Sequence, residues 1–586
     1  MCPEKEPKDL PILYFCSTKK HMKRHYDYIL SLLEKCRTMT ELKQLHGLMI
    51  TTSVINNAIP LSRVVDFCAN SKAGDINYAK SVFNQIEVPS LYIWNSMIKG
   101  YSKSNNPGEA LHMYREMQQK GYSPDHFTFP FVLKASSIIF YPKYGKAIHN
   151  RIVKTGFELD VYASTSLLHM YVSCDDMEAG LKVFDFIPKW NVVAWTSLIA
   201  GYVNKGWARK AIEVFKDMEF WNVEPNEITL VNTLVACAQI RDKDAGKWVH
   251  SRVCQLGYDP FESDLNFNVI LATAIIDMYA KCGDLIYARD LFNKMPQRNL
   301  VAWNSMIGAY NQYGWAREAL DLFFYMLVAG FVPDKATFLS VTGACAHLGA
   351  LALGQSIHAY ILKTNIGADI FIGTALVDMY AKIGDTISAQ EIFNKLEKKD
   401  AMAWTSMIIG LAIHGHAEEA LNTFKRMQED ANVIPDEITY IGILCACSHV
   451  GLVEEGQRHF ASMKEVYGIE PTIEHYGCMI DLLSRAGRFE EAERLVKKMP
   501  MQPNIAIWGA LLNGCEIHEN VNLADQVRSC MTKLEPQGSG VYVLLSNIYA
   551  RAGKWQEVKL ARELMVHRRI AKTLGHSAVE LKLLTS

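Results

Sequence analysis

The sequence predicts an all-α fold, a right-handed α-solenoid superhelix of stacked helix-turn-helix repeats. Three observations predict it: regularly spaced tryptophans, apolar stripes in helical phase, and turn residues at fixed places between the stripes. The tryptophans are Trp94, Trp195, Trp303, Trp404 and Trp508, at intervals of 101, 108, 101 and 104 residues. Around the first four the chain reads LYIWNSMIKGY, VVAWTSLIAGY, LVAWNSMIGAY and AMAWTSMIIGL. Such internal repetition decides architecture before any local reading does.

Each period divides into units of about 35, 35 and 31 residues. The first runs Leu91–Asp125, His126–Asp160 and Val161–Asn191. The second runs Val192–Asn226, Glu227–Asn268 and Val269–Asn299, its middle unit about seven residues longer. Leu300–Asp334, Lys335–Asp369 and Ile370–Asp400 follow, then Ala401–Asp436, Glu437–Thr472 and Ile473–Asn504. Within the first unit, Trp94, Met97, Ile98 and Tyr101 form one helical face. Asn106-Pro107-Gly108 punctuates the chain, and Ala110, Leu111, Tyr114 and Met117 form a second face that ends at Gly121 and Pro124-Asp125. Two short helices cannot bury these faces alone, so neighbouring units must stack. Ordinary core packing accounts for the tryptophans and the 24 methionines, since Met fills irregular gaps between helices.

Composition narrows the function. With 49% apolar residues, wholesale disorder is excluded. A net charge of −1 argues against a coat of nonspecific positive charge, though not against a local basic groove. The 14 cysteines are scattered and form no C-x-x-C, which points to a reducing compartment and mostly buried thiols. No apolar run reaches the ~18 residues of a membrane span; the region Phe338 to Gly354 is broken by Ser340, Thr342 and His347. Residues 1–29 read as an N-terminal extension, a possible organellar targeting segment. Lys19, Lys20, Lys23 and Arg24 favour that, while Glu4, Glu6 and Asp9 oppose it.

Candidate chemistry is sparse. A zinc deaminase needs H-x-E with a later P-C-x-x-C. His416-Ala417-Glu418 matches the first half literally, with nothing to complete a site. His46, His149, His250 and His358 recur too far apart to share a metal, so a packed or hydrogen-bonded role is expected. Pairs such as Lys398-Lys399, Lys497-Lys498 and Arg568-Arg569 read as solvated faces. Walker loops, dinucleotide fingerprints and nucleophile elbows do not occur. No enzyme, metal or cofactor is expected.

The units resemble pentatricopeptide repeats of the plant type that cycles through P, L and S motifs. Trp-Asn/Thr-Ser-Met/Leu-Ile marks the P units. Ala344–Gly349 (ACAHLG) and Ala446–Gly451 (ACSHVG) mark L units, and Asp277–Lys281 and Asp378–Lys382 (DMYAK) mark S units. Ile507–Leu512 and Tyr542–Ala550 resemble the two E motifs of the family's E class, whose members lack a DYW deaminase domain. The organisation this implies is irregular repeats at 30–90, a P-L-S array at 91–504, E motifs at 505–582 and a tail at 583–586.

The resemblance further implies that the fifth and last residues of a unit address one base of single-stranded organellar RNA. In the P and S units these are Asn95/Asp125, Thr165/Asn191, Thr196/Asn226, Thr273/Asn299, Asn304/Asp334, Thr374/Asp400 and Thr405/Asp436. All fourteen are Asn, Thr or Asp, a restriction that packing alone does not require. Elementary chemistry agrees with part of this. An ionised Asp only accepts hydrogen bonds and suits the ring N–H of uracil or guanine, while the Asn amide donates to adenine or cytosine. That Thr at the fifth position favours purine and Asn pyrimidine is implied by the family alone. The apolar second residues Tyr92, Val193, Ile270, Val301 and Phe371 would sandwich the bases.

Applied unit by unit, the implied RNA is 5′-U-N-A-A-N-A-U-N-G-G-3′. The N positions are the L-unit pairs Pro130/Asp160, Val231/Asn268 and Leu339/Asp369. A unit at about 58–90 is left unassigned, and Ile441 and Gly477 break the pattern in the last triplet. Function by resemblance is site recognition for cytidine-to-uridine editing in a mitochondrion or chloroplast. The protein would act as a monomer without membrane contact, with a deaminase supplied in trans by a DYW-type protein and multiple organellar RNA editing factors as further partners. RNA stabilisation or splicing is an alternative in the same binding class. A peptide-binding scaffold is the alternative from another class, and a self-sufficient deaminase is disfavoured by the missing C-x-x-C.

Overall fold

The computed structural model describes residues 19–567 except 189, 262–266, 365–368, 431–432 and 533–538, together with residue 570. Among the described residues there are 32 α-helices, one short 3-10 turn and no strand. The chain forms two compact units, Met1–Asp284 and Leu285–Ser586. Within each, helices pair antiparallel and the first helix of a repeat packs against the first helices of its neighbours. None of the helices is long and apolar enough to cross a membrane.

The helix ends follow from the repeat. Asp160, Asn191, Asn226, Asn268, Asn299, Asp334, Asp369, Asp400 and Asp436, each the last residue of a repeat, are the N-caps of the next first helix. Their side-chain oxygens accept backbone N–H groups that a helix start otherwise leaves unpaired, at about 0.5–2 kcal/mol per cap. The first helices of the P repeats are 13 residues each, for example Leu91–Lys103 and Ala401–Ile413. Second helices of the S repeats, such as Met177–Phe186 and Thr386–Lys395, are 10 residues against 13 in Ala208–Phe220 and Ala417–Glu429. One missing turn is why the S repeat is short.

The cores are the stripes read from sequence. Trp94, Met97 and Ile98 are fully buried, and so are Ala110 and Met117 on the facing helix. Each of the four P-repeat tryptophans stands edge-to-face with a phenylalanine from the preceding repeat: Phe83–Trp94 at 4.7 Å, and Phe184–Trp195, Phe292–Trp303 and Phe393–Trp404 at 4.9 Å between centroids. Such edge-to-face pairs add about 0.5–1.5 kcal/mol beyond buried area. Where first helices cross most closely the sequence places glycine: a Cβ at Gly410 would overlap Ala381, and one at Gly201 would overlap Val172.

The DMYAK motif and the recurring histidines share one explanation. Tyr380 lies 3.1 Å from His358 Nδ1, Asp378 accepts from Ser406 of the next repeat at 3.1 Å, and Lys382 pairs with Asp378 at 2.8 Å. His46–Tyr78, His149–Tyr171 and His250–Tyr279 repeat the contact at 2.8, 2.8 and 3.1 Å. Burial pushes Tyr171 and Tyr380 up to about 12, so each phenol stays protonated beside its imidazole. Burial also holds His46, His149, His250 and His358 below the ordinary histidine value near 6.5. A depressed histidine contributes stability that is intact above the unfolded value and is lost as pH falls towards the folded one. Melting temperature should therefore fall as pH drops below about 6.5, the ordinary histidine value. His358→Gln should flatten part of that fall, and equal acid sensitivity in the two proteins would refute the assignment.

At the N-terminal end a helix spans Lys19–Lys35, starting inside the stretch set aside as an extension, and Met39–Thr51, Ala58–Asn70 and Ile76–Phe83 follow. Near the C-terminus the helices Ile505–Ile517, Val521–Thr532, Gly540–Arg551 and Trp555–His567 continue the pairing. Tyr549 donates to Asp525 Oδ1 at 2.6 Å there, a carboxylate replacing the histidine of the earlier repeats. The last expected segments, 571–586 and most of the tail's approach, lie outside the described residues.

Candidate nucleic-acid interface

The structure joins fifth and last residues within a repeat. Asn95 Nδ2 donates to Asp125 Oδ1 at 3.0 Å, and Asn304 Nδ2 to Asp334 Oδ1 at 2.9 Å. In the S repeats Asn191 Nδ2 donates to Thr165 at 3.4 Å and Thr374 donates to Asp400 at 3.4 Å. Thr196 and Asn226, and likewise Thr405 and Asp436, are linked through one intervening hydroxyl, Thr229 at 2.6 Å from Thr196 and Thr439 at 2.7 Å from Thr405. Thr273 and Asn299 fall in different compact units. Thr273 donates to Val269 O at 2.6 Å, and Asn299 caps its own helix through Ala302 N at 2.8 Å.

Burial limits what each pair offers. Asn95, Thr165, Thr273, Thr374 and Thr405 are buried, Thr196 and Asn304 half-buried, and the last residues half-buried apart from exposed Asp436. Around them the second residues stand out: Tyr92, Val193, Ile270, Val301 and Phe371 are all 50–63% exposed. Phe127, Tyr162, Ile228, Met402 and Ile438, not singled out from sequence, are exposed at the same position, and their one signal was the register itself. Lys335 Nζ sits 3.8 Å from the Phe371 ring centroid and pairs with Asp369 at 2.9 Å, bringing a cation to an otherwise apolar platform. That pairing holds the Asp369 carboxyl below the usual carboxylate range.

Capping and base reading compete as explanations of the last residue. Asp334 Oδ1 accepts from Thr337 N at 2.9 Å as well as from Asn304. Burial works against ionisation of Asp334, but the hydrogen bonds from Thr337 and Asn304 outweigh it and hold the carboxyl below its ordinary value. The cap explains why Asn or Asp stands there; it does not explain the fifth residue, which caps nothing. In the L repeats Pro130, Val231 and Leu339 offer no side-chain polar group, and Gly477 offers none in the last S repeat. There the cap is Thr472, bonded to His475 Nδ1 at 2.8 Å.

The remaining polar clusters have local accounts. His416 stands at the N-cap position of the helix Ala417–Glu429, without a side-chain capping bond and 3.9 Å from Glu419, so the H-x-E triplet is a helix start. His250, Cys254 and Asp259 place ligand atoms within 4.8 Å of one another. His250 bonds Tyr279 as its counterparts in the other L repeats bond theirs, and the Cys254 thiol lies 3.3 Å from Asp259, so hydrogen bonding accounts for the trio.

Models of the PPR repeat and the PPR repeat family match residues 89–136, 190–239, 271–300, 301–331, 374–400, 402–430 and 467–500. A putative pentatricopeptide repeat-containing protein of Arabidopsis thaliana is 59% identical over 95% of this chain and 99% of its own length. The chain belongs to the pentatricopeptide repeat family. An E motif model matches residues 518–580 of this pentatricopeptide repeat chain. Two further Arabidopsis thaliana members, one named mitochondrial and one chloroplastic, are 36% and 39% identical over 94% of the chain, covering 85% and 78% of their own lengths. The maize pentatricopeptide repeat protein PPR10, crystallised with an 18-nt psaJ RNA element, superposes with a TM-score of 0.58 over 94% of this chain and 83% of its own, at 17% identity, which speaks to the fold.

Proposed function

We propose that this pentatricopeptide repeat chain binds single-stranded organellar RNA and selects a site for cytidine-to-uridine editing, with a deaminase supplied in trans through the region 505–582. One observation supports it most: side chains 26 to 30 positions apart, at the fifth and last places of a repeat, meet in hydrogen-bonding distance beside an exposed apolar second residue. A peptide-binding scaffold gives no reason for that pairing. An RNA lying along such pairs would be read one base at a time, by edge hydrogen bonds between apolar sandwiches. The E motif supports editing over stabilisation or splicing. The residues given hold no C-x-x-C to complete a zinc site with His416 and Glu418, in keeping with catalysis by a partner and with editing factors assisting. The mitochondrial and chloroplastic relatives support an organellar location without choosing between the two.

Thr374→Asn with Asp400 kept should move the preference at the ninth base of UNAANAUNGG from G to U, by on the order of 1–3 kcal/mol. Titration of RNAs differing only at that base checks it, and an unchanged preference refutes the reading. In the plant, loss of the gene should abolish one C-to-U conversion downstream of a match to that string.

A further inference from the structure

The four P-repeat pairs share a partner that the S-repeat pairs lack. It is the third residue of the following L repeat, Thr128, Thr229, Thr337 or Thr439, each fully buried. The P repeats carry alanine at that place after an S repeat: Ala194, Ala302 and Ala403. Thr337 Oγ1 lies 2.6 Å from Asn304 Oδ1 and 2.9 Å from Asp334 Oδ1, and Thr128 lies 2.7 and 2.8 Å from Asn95 Oδ1 and Asp125 Oδ1. On the threonine-type pairs, Thr439 donates to Asp436 at 2.7 Å and contacts Thr405, while Thr229 does the same between Asn226 and Thr196.

We infer that these threonines are positioning residues for base reading, because they fix whether the fifth residue faces RNA as a donor or an acceptor. The inference rests on the RNA-reading proposal above. Consider Asn304. Its carbonyl is bound by the Thr337 hydroxyl and one amide hydrogen by Asp334. The reverse amide orientation would face its carbonyl to a carboxylate oxygen, so the second N–H is the group left for a base. A donor there beside a carboxylate acceptor matches uracil, whose ring N–H is flanked by carbonyls.

The threonine pairs have the opposite polarity. A carboxylate only accepts, so Thr439 gives its proton to Asp436 and must take that of Thr405. Thr196 likewise has both partners for its one proton on the inner side, Thr229 Oγ1 at 2.6 Å and Val192 O at 2.7 Å. What faces outwards is a lone pair. An acceptor beside Asp436 matches guanine, whose ring N–H adjoins an amino group, and it disfavours uracil, which has no second donor. In this way an L repeat whose own fifth residue is apolar still shapes recognition by the P repeat before it. The S pairs, with alanine at the third place and contacts of 3.4 Å, lack this constraint.

The test uses the full chain and RNAs based on UNAANAUNGG with U, G, C or A at the seventh base. The wild type should prefer U over G there. In Thr337→Val the Asn304 carbonyl loses its hydroxyl partner and the amide keeps only its bond to Asp334, so its second N–H is aimed less firmly. The U-over-G ratio should fall roughly five-fold, the value of one neutral hydrogen bond, while the G-over-U ratio at the ninth base, read by Thr374 and Asp400, stays unchanged. Thr337→Ser should restore the wild-type ratio. Thr439→Val should relax the G preference at the tenth base in the same manner, from an independent junction. An unchanged seventh-base ratio in Thr337→Val, or equal losses at the seventh and ninth bases, overturns the inference while leaving the reading intact. A wild type without preference at the seventh base overturns both.

Discussion

Replacing Trp404 with alanine should destabilise the unit Leu285–Ser586 by about 3–5 kcal/mol, the range for deleting a large aromatic side chain from a packed core. Trp404 is 4% exposed, stands edge-on to Phe393 at 4.9 Å, and lies 5.7 Å beneath the Arg426 guanidinium. Its removal opens a cavity between an S repeat and the next P repeat that neither helix pair can close alone. Trp404→Phe should cost far less. The indole N–H has no protein acceptor, as in Trp94, Trp195 and Trp303, and leaving a buried donor unpaired costs about 1–3 kcal/mol. Phenylalanine deletes that donor together with some packing, so the two changes partly offset. Urea melts of the full chain would decide it. An alanine variant as stable as wild type, or a phenylalanine variant as damaged as the alanine one, would show that the tryptophan is not the keystone of the junction.

The second large effect is expected at Gly410. It lies in the first helix Ala401–Ile413, where an added Cβ would overlap Ala381 of the preceding S repeat and come within 3.0 Å of the Ala381 Cα. Backbone cannot yield as a flexible side-chain tip does, so Gly410→Val should force the helices apart at a cost of about 2 kcal/mol or more. The displacement would also separate Thr374 from Asp400, and RNA discrimination at the ninth base should decline with stability. Gly509 provides the contrast, since nothing lies within 4 Å of a Cβ built there. Gly509→Ala should be neutral or stabilising by up to about 1 kcal/mol, because alanine loses less backbone freedom in a helix. Opposite signs at two helical glycines would confirm that close approach, not helix propensity, selects Gly410.

Much of this was legible in the sequence because it is local and periodic. Trp94, Met97 and Ile98 recur at helical spacing, and the Asp or Asn ending most repeats declares a helix start. The expected structural role of His149, His250 and His358 also follows from their burial against tyrosines. Other features were illegible because they join residues about 33 positions apart. Nothing near Thr337 announces that its hydroxyl reaches Asn304, though the threonine at the third place of every L repeat, against Ile93, Ala194, Ala302 and Ala403 in the P repeats, is visible once the register is known. The stacking of Lys335 on Phe371 is hidden in the same way. For the last residues, sequence could not separate capping from base contact, since both select Asn and Asp; the structure shows Oδ1 of Asp334 already engaged by the cap.

One consequence follows from the caps. Asn299 and Asp400 open helices of identical length, Leu300–Gln312 and Ala401–Ile413, with the same aromatic anchor in each. Excising residues 300–400 would therefore splice like onto like, and under the proposed one-base-per-repeat reading the shorter ruler skips three nucleotides. Duplicating the same stretch would lengthen the ruler by three. Such a chain can change the span of its target by recombination, without redesigning a single joint.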